Sequence, residues 1–469
     1  MSNLERNDLD DYKFLRIIDA IASINQKVNL IGVITEIGVA KQSRGTDCCC
    51  TLKIVDESNA SAGISVNFFA ENFEKLPQVE SSGDIIQLVR VVMKGHRSGV
   101  NVLFDKKFSS FALYEGRESS KFVPYQVSSK FRARDEDNKF IAGLRKWTVS
   151  NQPATVSSDS LSLKDIKPGL PSNLICKVLH ICEVKDGEWM LFVWDGTDAP
   201  PQDIHTKLKL DEELENTLPL QLEAMPLSRK VLCNFPTVGT VLRMTNDKCN
   251  EKMDLHLLKA GKWVQFRNIN FEVRSGLWCG IVLPKLKFSY LPDDNDYALQ
   301  CQRTNEERVK SKWDRKPFTC FPWPSKITDT DYQHVPFVTL MDVLTYPKVI
   351  AKFRCVVRVV ATLPGHPRDF QDSSGTYRLR LTLEDPTARI HAYVYAEDGV
   401  KFFGGHPSID TMIQMHNTLL GVEETNDAHS NEKPRNPPWV ECCLNSYNID
   451  KNDVWGSIRY RIFATTLMG

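Results

Sequence analysis

Two short runs of the chain carry the groups best suited to chemistry. The first, Ala40-Lys41-Gln42-Ser43-Arg44-Gly45-Thr46-Asp47, sets two cations for phosphate beside a glycine that lets backbone N–H groups approach. Its hydroxyl, amide and carboxylate groups are able to read base edges. The second, Arg90 to Lys107, holds Arg90, Lys94, His96, Arg97, Lys106 and Lys107 against a single acid, Asp105. With Gly95, Ser98 and Gly99 it reads as a basic loop closing over a phosphate backbone, or as an ordinary solvated hairpin. Between the two runs stand Phe68 and Phe69. Alternation along a strand sends them to opposite faces, so one belongs in a core and the other can stack a base, worth roughly 1–3 kcal/mol.

Catalytic chemistry lacks such a constellation. The chain has no G-x-x-x-x-G-K-[ST] phosphate loop, no G-x-S-x-G elbow, no H-E-x-x-H and no strand-associated G-x-G-x-x-G. Lys185-Asp186-Gly187 resembles a nucleotidyl-transfer lysine motif only loosely, and it reads as a hairpin turn between strands. The ten histidines are scattered. Among the thirteen cysteines Cys48-Cys49-Cys50 and Cys442-Cys443 are contiguous and no C-x-x-C pair occurs, so neither a metal nor a cofactor is expected. The odd cysteine count and a start without a leader pattern predict free thiols in a reducing compartment. No apolar run approaches the roughly 18–20 residues that cross a bilayer, so a soluble intracellular protein without a membrane role is expected.

The elements that position these groups repeat along the chain. Thr51–Ser58, Leu191–Thr197 and Leu379–Thr387 are apolar runs closed by Asp56-Glu57-Ser58, Asp195-Gly196-Thr197 and Asp385-Pro386-Thr387. Asp-x-Ser/Thr is a turn signal, because both side chains bond backbone two residues on. Each run follows a long β-rich stretch, Val28–Ile34, Leu174–Leu179 or Phe353–Val360. The copies recur at domain length, too far apart for a solenoid. Phe69–Leu76 and Tyr395–Phe402 read as short helices plugging a barrel end, and Gly83–Val92 as a further strand. The prediction is a mainly β chain of three tandem OB-fold barrels with short helices. Three unrelated β domains sharing one turn are the alternative.

Punctuation places the barrels at residues 8–148, 160–292 and 335–469, with a linker at 293–334. An amphipathic helix opens the chain, with Phe14, Ile17, Ile18, Ile21 and Ile24 on one face behind the caps Asp10 and Asp11. Lys139–Trp147 closes the first barrel as a short helix. Charged Gln302–Lys316 with Pro317, Pro322 and Pro324 reads as an extended linker, and the polar, Pro-rich stretches Pro364–Gly375 and Ala428–Pro438 as mobile loops. The length of 469 residues accommodates about three domains. The balance of 59 Lys+Arg against 59 Asp+Glu excludes a chain that is basic all over, yet leaves room for one basic groove offset by acidic loops.

OB barrels hold single strands on the face of strands two and three, under the loops joining strands one to two and four to five. On the first barrel the loop, the stacking aromatic and the basic hairpin therefore converge. The second barrel offers Trp189 and Trp194, which read mostly as core, and Asp195, which reads as a turn cap. The third offers Tyr377, His391, Tyr393, Tyr395, Phe402 and Phe403 with few paired cations, which suits protein binding as well as nucleic acid.

Taken together, Ser43-Arg44-Gly45-Thr46-Asp47, Ile54-Val55-Asp56, Asn67-Phe68-Phe69 with Leu76-Pro77, Gly83-Asp84-Ile85-Ile86 leading to Arg90, and Trp194-Asp195-Gly196-Thr197 resemble the protection-of-telomeres family, most of all its plant branch. The resemblance is close over the first two barrels and looser over the third. It implies a nuclear protein of the chromosome's telomeric region with no enzymatic activity. Such a protein binds the G-rich single-stranded overhang and takes part in telomere capping and telomerase regulation. Carried onto matching positions, the DNA contacts would be Ser43, Arg44, Gly45, Thr46, Asp47, Phe69, Arg90, His96 and Arg97, with Phe69 the stacker and Phe68 left to the core. Cys48 stands where the family commonly has an aromatic, and His96 and Arg97 replace its hairpin tyrosine or lysine. Pro171 stands where some relatives stack a base, and the zinc-bearing insert of animal members is missing. The telomerase particle and other telomere proteins are the implied partners, through the third barrel. Two further readings stay open: an OB-fold adaptor of the telomerase or telomere-replication complex with weak or no DNA binding, and an RNA binder.

Overall fold

Residues of the run Ile64–Ala70 alternate buried and half-buried, as a strand with one face on a core must. The same alternation builds most of this protein, a computed structural model of which describes residues 13–43, 45–81, 83–96, 99–116, 121–150, 160–185, 188–205, 218–246, 255, 258–291, 295–311, 315–321, 326–422 and 434–468. The chain folds as two compact units, Met1–Ser160 with Lys252–Arg267 and Lys285–Leu299, and Leu161–Glu251 with Asn268–Pro284 and Gln300–Gly469. Among the described residues no helix is long and apolar enough to cross a membrane, and no group of His, Cys, Asp or Glu is arranged to hold a metal ion.

In the first unit five strands pair in a ring, in the order Lys27–Gly38, Cys48–Val55, Ile64–Ala70, Gly99–Phe104, Ile85–His96 and back to the first. One pair, Ile64–Ala70 with Gly99–Phe104, is parallel. Inside the ring Phe68, Phe104 and Phe111 meet with centroids 5.1–5.9 Å apart, and Leu30, Leu52, Val66 and Leu88 complete the core. The helix Asn138–Ser150 seats Ile141 and Leu144 on the outside of the same barrel, against Ile31 and Val33.

In the second unit Ala351–Leu363, Arg378–Glu384, Arg389–Tyr395, Ile458–Phe463 and Trp439–Asn448 close a barrel in the same order, again with its third and fifth strands parallel. The same relationships recur where Ser172–Lys185 pairs with Glu188–Trp194, which pairs with Leu242–Thr245, itself parallel to Leu277–Tyr290. Lys185 faces Glu188 across the end of this hairpin, as the turn reading of Lys185-Asp186-Gly187 requires. Asp186 and Gly187 lie outside the described residues. Trp194 is core, donating from Nε1 to the Val238 carbonyl at 2.8 Å, while Trp189 is half-buried.

The Asp-x-Ser/Thr turns do more than close strands. Asp56 Oδ1 accepts from the Ser58 N–H and hydroxyl, and its Oδ2 accepts the N–H of Ile17, 39 residues upstream, at 2.7 Å. Asp195 binds Thr197 and Leu163 in the same manner, and Asp385 binds Thr387 and Leu340, with 2.7 Å to the distant N–H in each. The Ser or Thr hydroxyl takes the next N–H, from Ile18, Lys164 or Met341. Each turn thus caps the helical segment that leads into its own barrel, because the first N–H groups of a helix have no partner within it.

That cap corrects the expected opening helix. It runs only over Ile17–Ile21, since Asp56 fixes its start and Asn25 turns at φ 62°. Ile17 and Ala20 are buried, Ile18 and Ile24 are exposed, and Asp10 and Asp11 lie outside the described residues. The linker reading also changes. Asp296–Lys310 is a helix, and its Arg308 is buried in a two-pronged pair with Asp198 at 2.8 Å, a carboxylate that also accepts the Phe318 N–H. A buried guanidinium needs that partner, and so the segment is held down. Pro322 and Pro324 lie outside the described residues. Pro364–Gly375, expected to be mobile, buries Phe370 against His416 of the helix Ile409–Leu420. Of Ala428–Pro438 only residues 434–438 are described.

Candidate nucleic-acid interface

The outer face of the first barrel is set by cross-strand register. Cys49 faces Phe69, Thr51 faces Asn67 and Lys53 faces Ser65, while Cys50, Leu52, Ile54, Val66 and Phe68 point inward. Phe69 is half-buried on that outer face, Phe68 is sealed in the core, and the Thr51 hydroxyl binds Asn67 Oδ1 at 2.8 Å. The assignment of one phenylalanine to each face follows from the strand period alone.

Above Phe69 the loop is a tight hairpin. Lys41 and Gln42 pair with Cys49 and Cys48, Ser43 N–H donates to the Asp47 carbonyl at 2.8 Å, Gly45 N–H to Ser43 Oγ, and Gln42 Nε2 to the Thr46 carbonyl. Gly45 and Thr46 are exposed at its tip. Arg44 lies outside the described residues. Asp47 is held by Lys106, whose Nζ is 2.8 Å from both carboxylate oxygens. That hydrogen bond, more than the charge, raises the Lys106 pKa. A base edge reaching for Asp47 therefore meets a carboxylate already oriented by a cation.

Arg90 joins this end of the barrel through a β-bulge. The pairing of Lys27–Gly38 with Ile85–His96 slips between Val28 and Leu30, and Arg90 takes φ 55° there with its side chain exposed. A bulge re-aims a side chain, and a non-glycine residue in that conformation needs fixing. Asn29 Oδ1 accepts the Arg90 N–H at 2.8 Å, and Ser109 Oγ donates to the Arg90 carbonyl while accepting the Asp105 N–H. Asp105 adjoins the Lys106 that holds Asp47, so bulge and loop are tied through one short segment. His96 is exposed opposite Gly99 at the far tip of its hairpin. Six residues of strand separate it from Arg90, about 20 Å at the usual rise. Arg97 lies outside the described residues. The structure thus brings Ser43, Gly45, Thr46, Asp47, Phe69 and Arg90 to one end and leaves His96 at the other.

Sequence reasoning missed a polar cavity of about 380 Å³ on the same outer face. Its floor is a charge relay in which Glu36 meets Arg267 at 2.9 Å and Lys53 at 3.2 Å. Burial pushes the Glu36 carboxyl up, but the hydrogen bond and charge of Arg267, with Lys53, bring it below its ordinary range. Alternation from Phe69 could have found Lys53 and Ser65. No local signal points to Arg267, more than two hundred residues away.

Comparison with known proteins follows the same division. Residues 9–158 match a family described as telomeric single stranded DNA binding POT1/CDC13, and residues 323–453 match one described as POT1A-like, OB fold domain. Protection of telomeres protein 1b of Arabidopsis thaliana is 42% identical over 464 residues, spanning 98% of this chain and 99% of its own. Protection of telomeres protein 1a of the same plant is 38% identical over 477 residues, with 97% and 98% covered. The human protection of telomeres protein 1 is 30% identical over 173 residues, 37% of this chain and 26% of its own. A crystal structure of fission yeast Pot1 and ssDNA aligns at 15% identity over 64% of this chain and 95% of that one, with a TM-score of 0.26.

Proposed function

The chain belongs to the protection-of-telomeres family, and from that premise we propose that it binds the G-rich single-stranded telomeric overhang on the first barrel and protects chromosome ends. One observation carries this: the segment matching the telomeric single-strand-binding family is the barrel on which the hairpin 43–47, Phe69 and Arg90 converge. In the proposed complex Arg90 and Lys106 meet phosphates, the Ser43–Asp47 hairpin reads base edges and Phe69 stacks a base. Arg44, His96 and Arg97 extend the path. The proposal includes a protein without enzymatic activity, a nuclear telomeric location, a part in telomerase regulation, and a third barrel that meets the telomerase particle or other telomere proteins. The division into OB folds at 8–148, 160–292 and 335–469 belongs to it as well, supported by the recurrent strand order and the recurrent Asp-x-Ser/Thr cap.

Titrating the full chain with a G-rich telomeric oligonucleotide and its C-rich complement at two salt concentrations tests the reading. Tighter binding of the G-rich strand, weakening as salt rises, is expected. Equal affinity for both strands would sink it and favour the adaptor. Competition by the RNA version of the oligonucleotide separates a DNA binder from an RNA binder through the 2′-hydroxyl.

A further inference from the structure

The third barrel was expected to present aromatics with few cations, and its folded face corrects this. Tyr377, Phe402 and Phe403 are core, but His391, Tyr393 and Tyr395 point outward from the strand Arg389–Tyr395. Register sets Arg378 opposite Tyr395 and Arg380 opposite Tyr393, and the neighbouring strand sets Arg461 beside Tyr393. Arg459 stands two residues before Arg461 on the same side. Arg378 and Arg380 face the tyrosines across a hairpin, whereas Arg459 and Arg461 come from a strand more than sixty residues further on and have no local signal.

Two of the four arginines have carboxylates: Arg378 meets Asp372 at 3.1 Å, and Arg461 binds Asp398. Among the described residues none pairs with Arg380 or Arg459. Arg380 Nε is buried without a hydrogen-bond partner, and Arg459 donates to the carbonyl of its neighbour Ile458. Arg380, Arg459, His391 and Tyr393 line a cavity of about 500 Å³. That is a volume typical of small-ligand sites. Among the described residues that line it the one acid, Glu223, is taken up by Arg243 at 3.1 Å. Burial, then the charges of Arg380 and Arg459, hold the His391 pKa down at about 4, so the imidazole adds no positive charge of its own near neutral pH.

We propose that this face, strands two and three of the third barrel with Arg459 and Arg461, is a second binding site for a single-stranded nucleic acid. One nucleotide occupies the cavity beside Arg380 and Arg459. The strand continues over exposed Arg378 and Tyr395, where the Arg378 guanidinium already lies 5.8 Å from the Tyr395 ring. The two cross-strand Arg–Tyr pairs repeat along the strands at about 6.6 Å, a step that an extended nucleotide chain can follow with stacking on one strand and phosphate contact on the next. Guanidinium beside phenol across the strands, Arg378 by Tyr395 and Arg380 by Tyr393, favours this ligand over an acidic peptide, which would satisfy the arginines but leave the tyrosines idle.

The site is independent of the first barrel, and the test locates the two separately. The full chain is photo-crosslinked to a single-stranded oligonucleotide carrying 5-iodouracil, and the adducts are mapped by mass spectrometry. Adducts on Tyr393 or Tyr395 that persist in the Phe69→Ala, Arg90→Ala chain are expected; none between residues 378 and 461 overturns the proposal. In that background Arg380→Ala with Arg459→Ala should weaken binding about tenfold and lower the salt slope by about 1.4, at roughly 0.7 per phosphate on a single strand. The Arg→Lys pair should keep the slope. Tyr395→Ala, at an exposed position that folding tolerates, should cost about fivefold. Unchanged affinity for Tyr395→Ala, or a polyglutamate peptide that displaces the oligonucleotide at equal concentration, assigns the face to acidic protein instead and overturns the proposal.

Discussion

Adjacent phenylalanines on one strand set up the sharpest test at the scale of single residues. Phe68 packs between Phe104 and Phe111, whereas Phe69 stands half-buried on the outer face. Phe68→Ala should therefore cost about 3–5 kcal/mol of stability in a denaturant titration. Phe69→Ala should leave the unfolding midpoint nearly unchanged and weaken single-strand binding about 5- to 150-fold, the equivalent of roughly 1–3 kcal/mol. A second test is acidity. Burial, with nearby arginines and, for His416, His366, holds His391 and His416 at about 4, while an unfolded histidine titrates near 6.5. Between those values the unfolded chain binds more protons, so stability is full above about pH 6.5 and falls as pH drops towards 4. Asp385, pushed up to about 6 by burial, slopes the other way over part of that window, as do Asp84, Asp137 and Asp195, which burial also raises. The histidine contribution is therefore read as a difference: between pH 7 and 4 the parent chain should lose more stability than the His391→Gln, His416→Gln chain, measured as unfolding midpoints.

At the scale of elements, the caps predict a local loss. Asp195→Ala removes the acceptor of the buried Leu163 N–H and of Thr197, and should destabilise the second unit by about 2 kcal/mol. Asp385→Ala should do the same through Leu340, with hydrogen exchange rising first in the segment after each lost cap. The barrels were legible because strand alternation and the Asp-x-Ser/Thr turn are local signals: Phe353–Val360 was found inside Ala351–Leu363, and Lys139–Trp147 inside Asn138–Ser150. The helix Asp296–Lys310 was not, because its charged sequence gives no apolar stripe. Its place is decided by Arg308 reaching Asp198, 110 residues away.

For the whole molecule, equal numbers of cations and acids mean that any nucleic-acid affinity comes from local excess. With Arg90 as a phosphate contact, removing it should lower the slope of log affinity against log salt by about 0.7, while the strand preference, set by base contacts, stays. Removing Lys106, which holds Asp47, should weaken that preference as well. A slope that does not move for the Arg90 variant would mean that this cation binds no phosphate. The convergence of Phe69 with the 43–47 hairpin was legible from the barrel's strand order. Lys106 holding Asp47, and arginines meeting tyrosines on the third barrel, were not, because such charge neighbours are chosen by pairings between distant strands. The three caps have one more consequence, which concerns time. Their acceptors lie 39, 32 and 45 residues downstream of the N–H groups they bind. In a chain made from its N-terminus, each lead-in helix leaves the ribosome open and is locked only when the second strand of its own barrel has followed. Synthesis thus runs forward while each lock closes backward, and a barrel's first helix is among the last parts of its opening half to be secured.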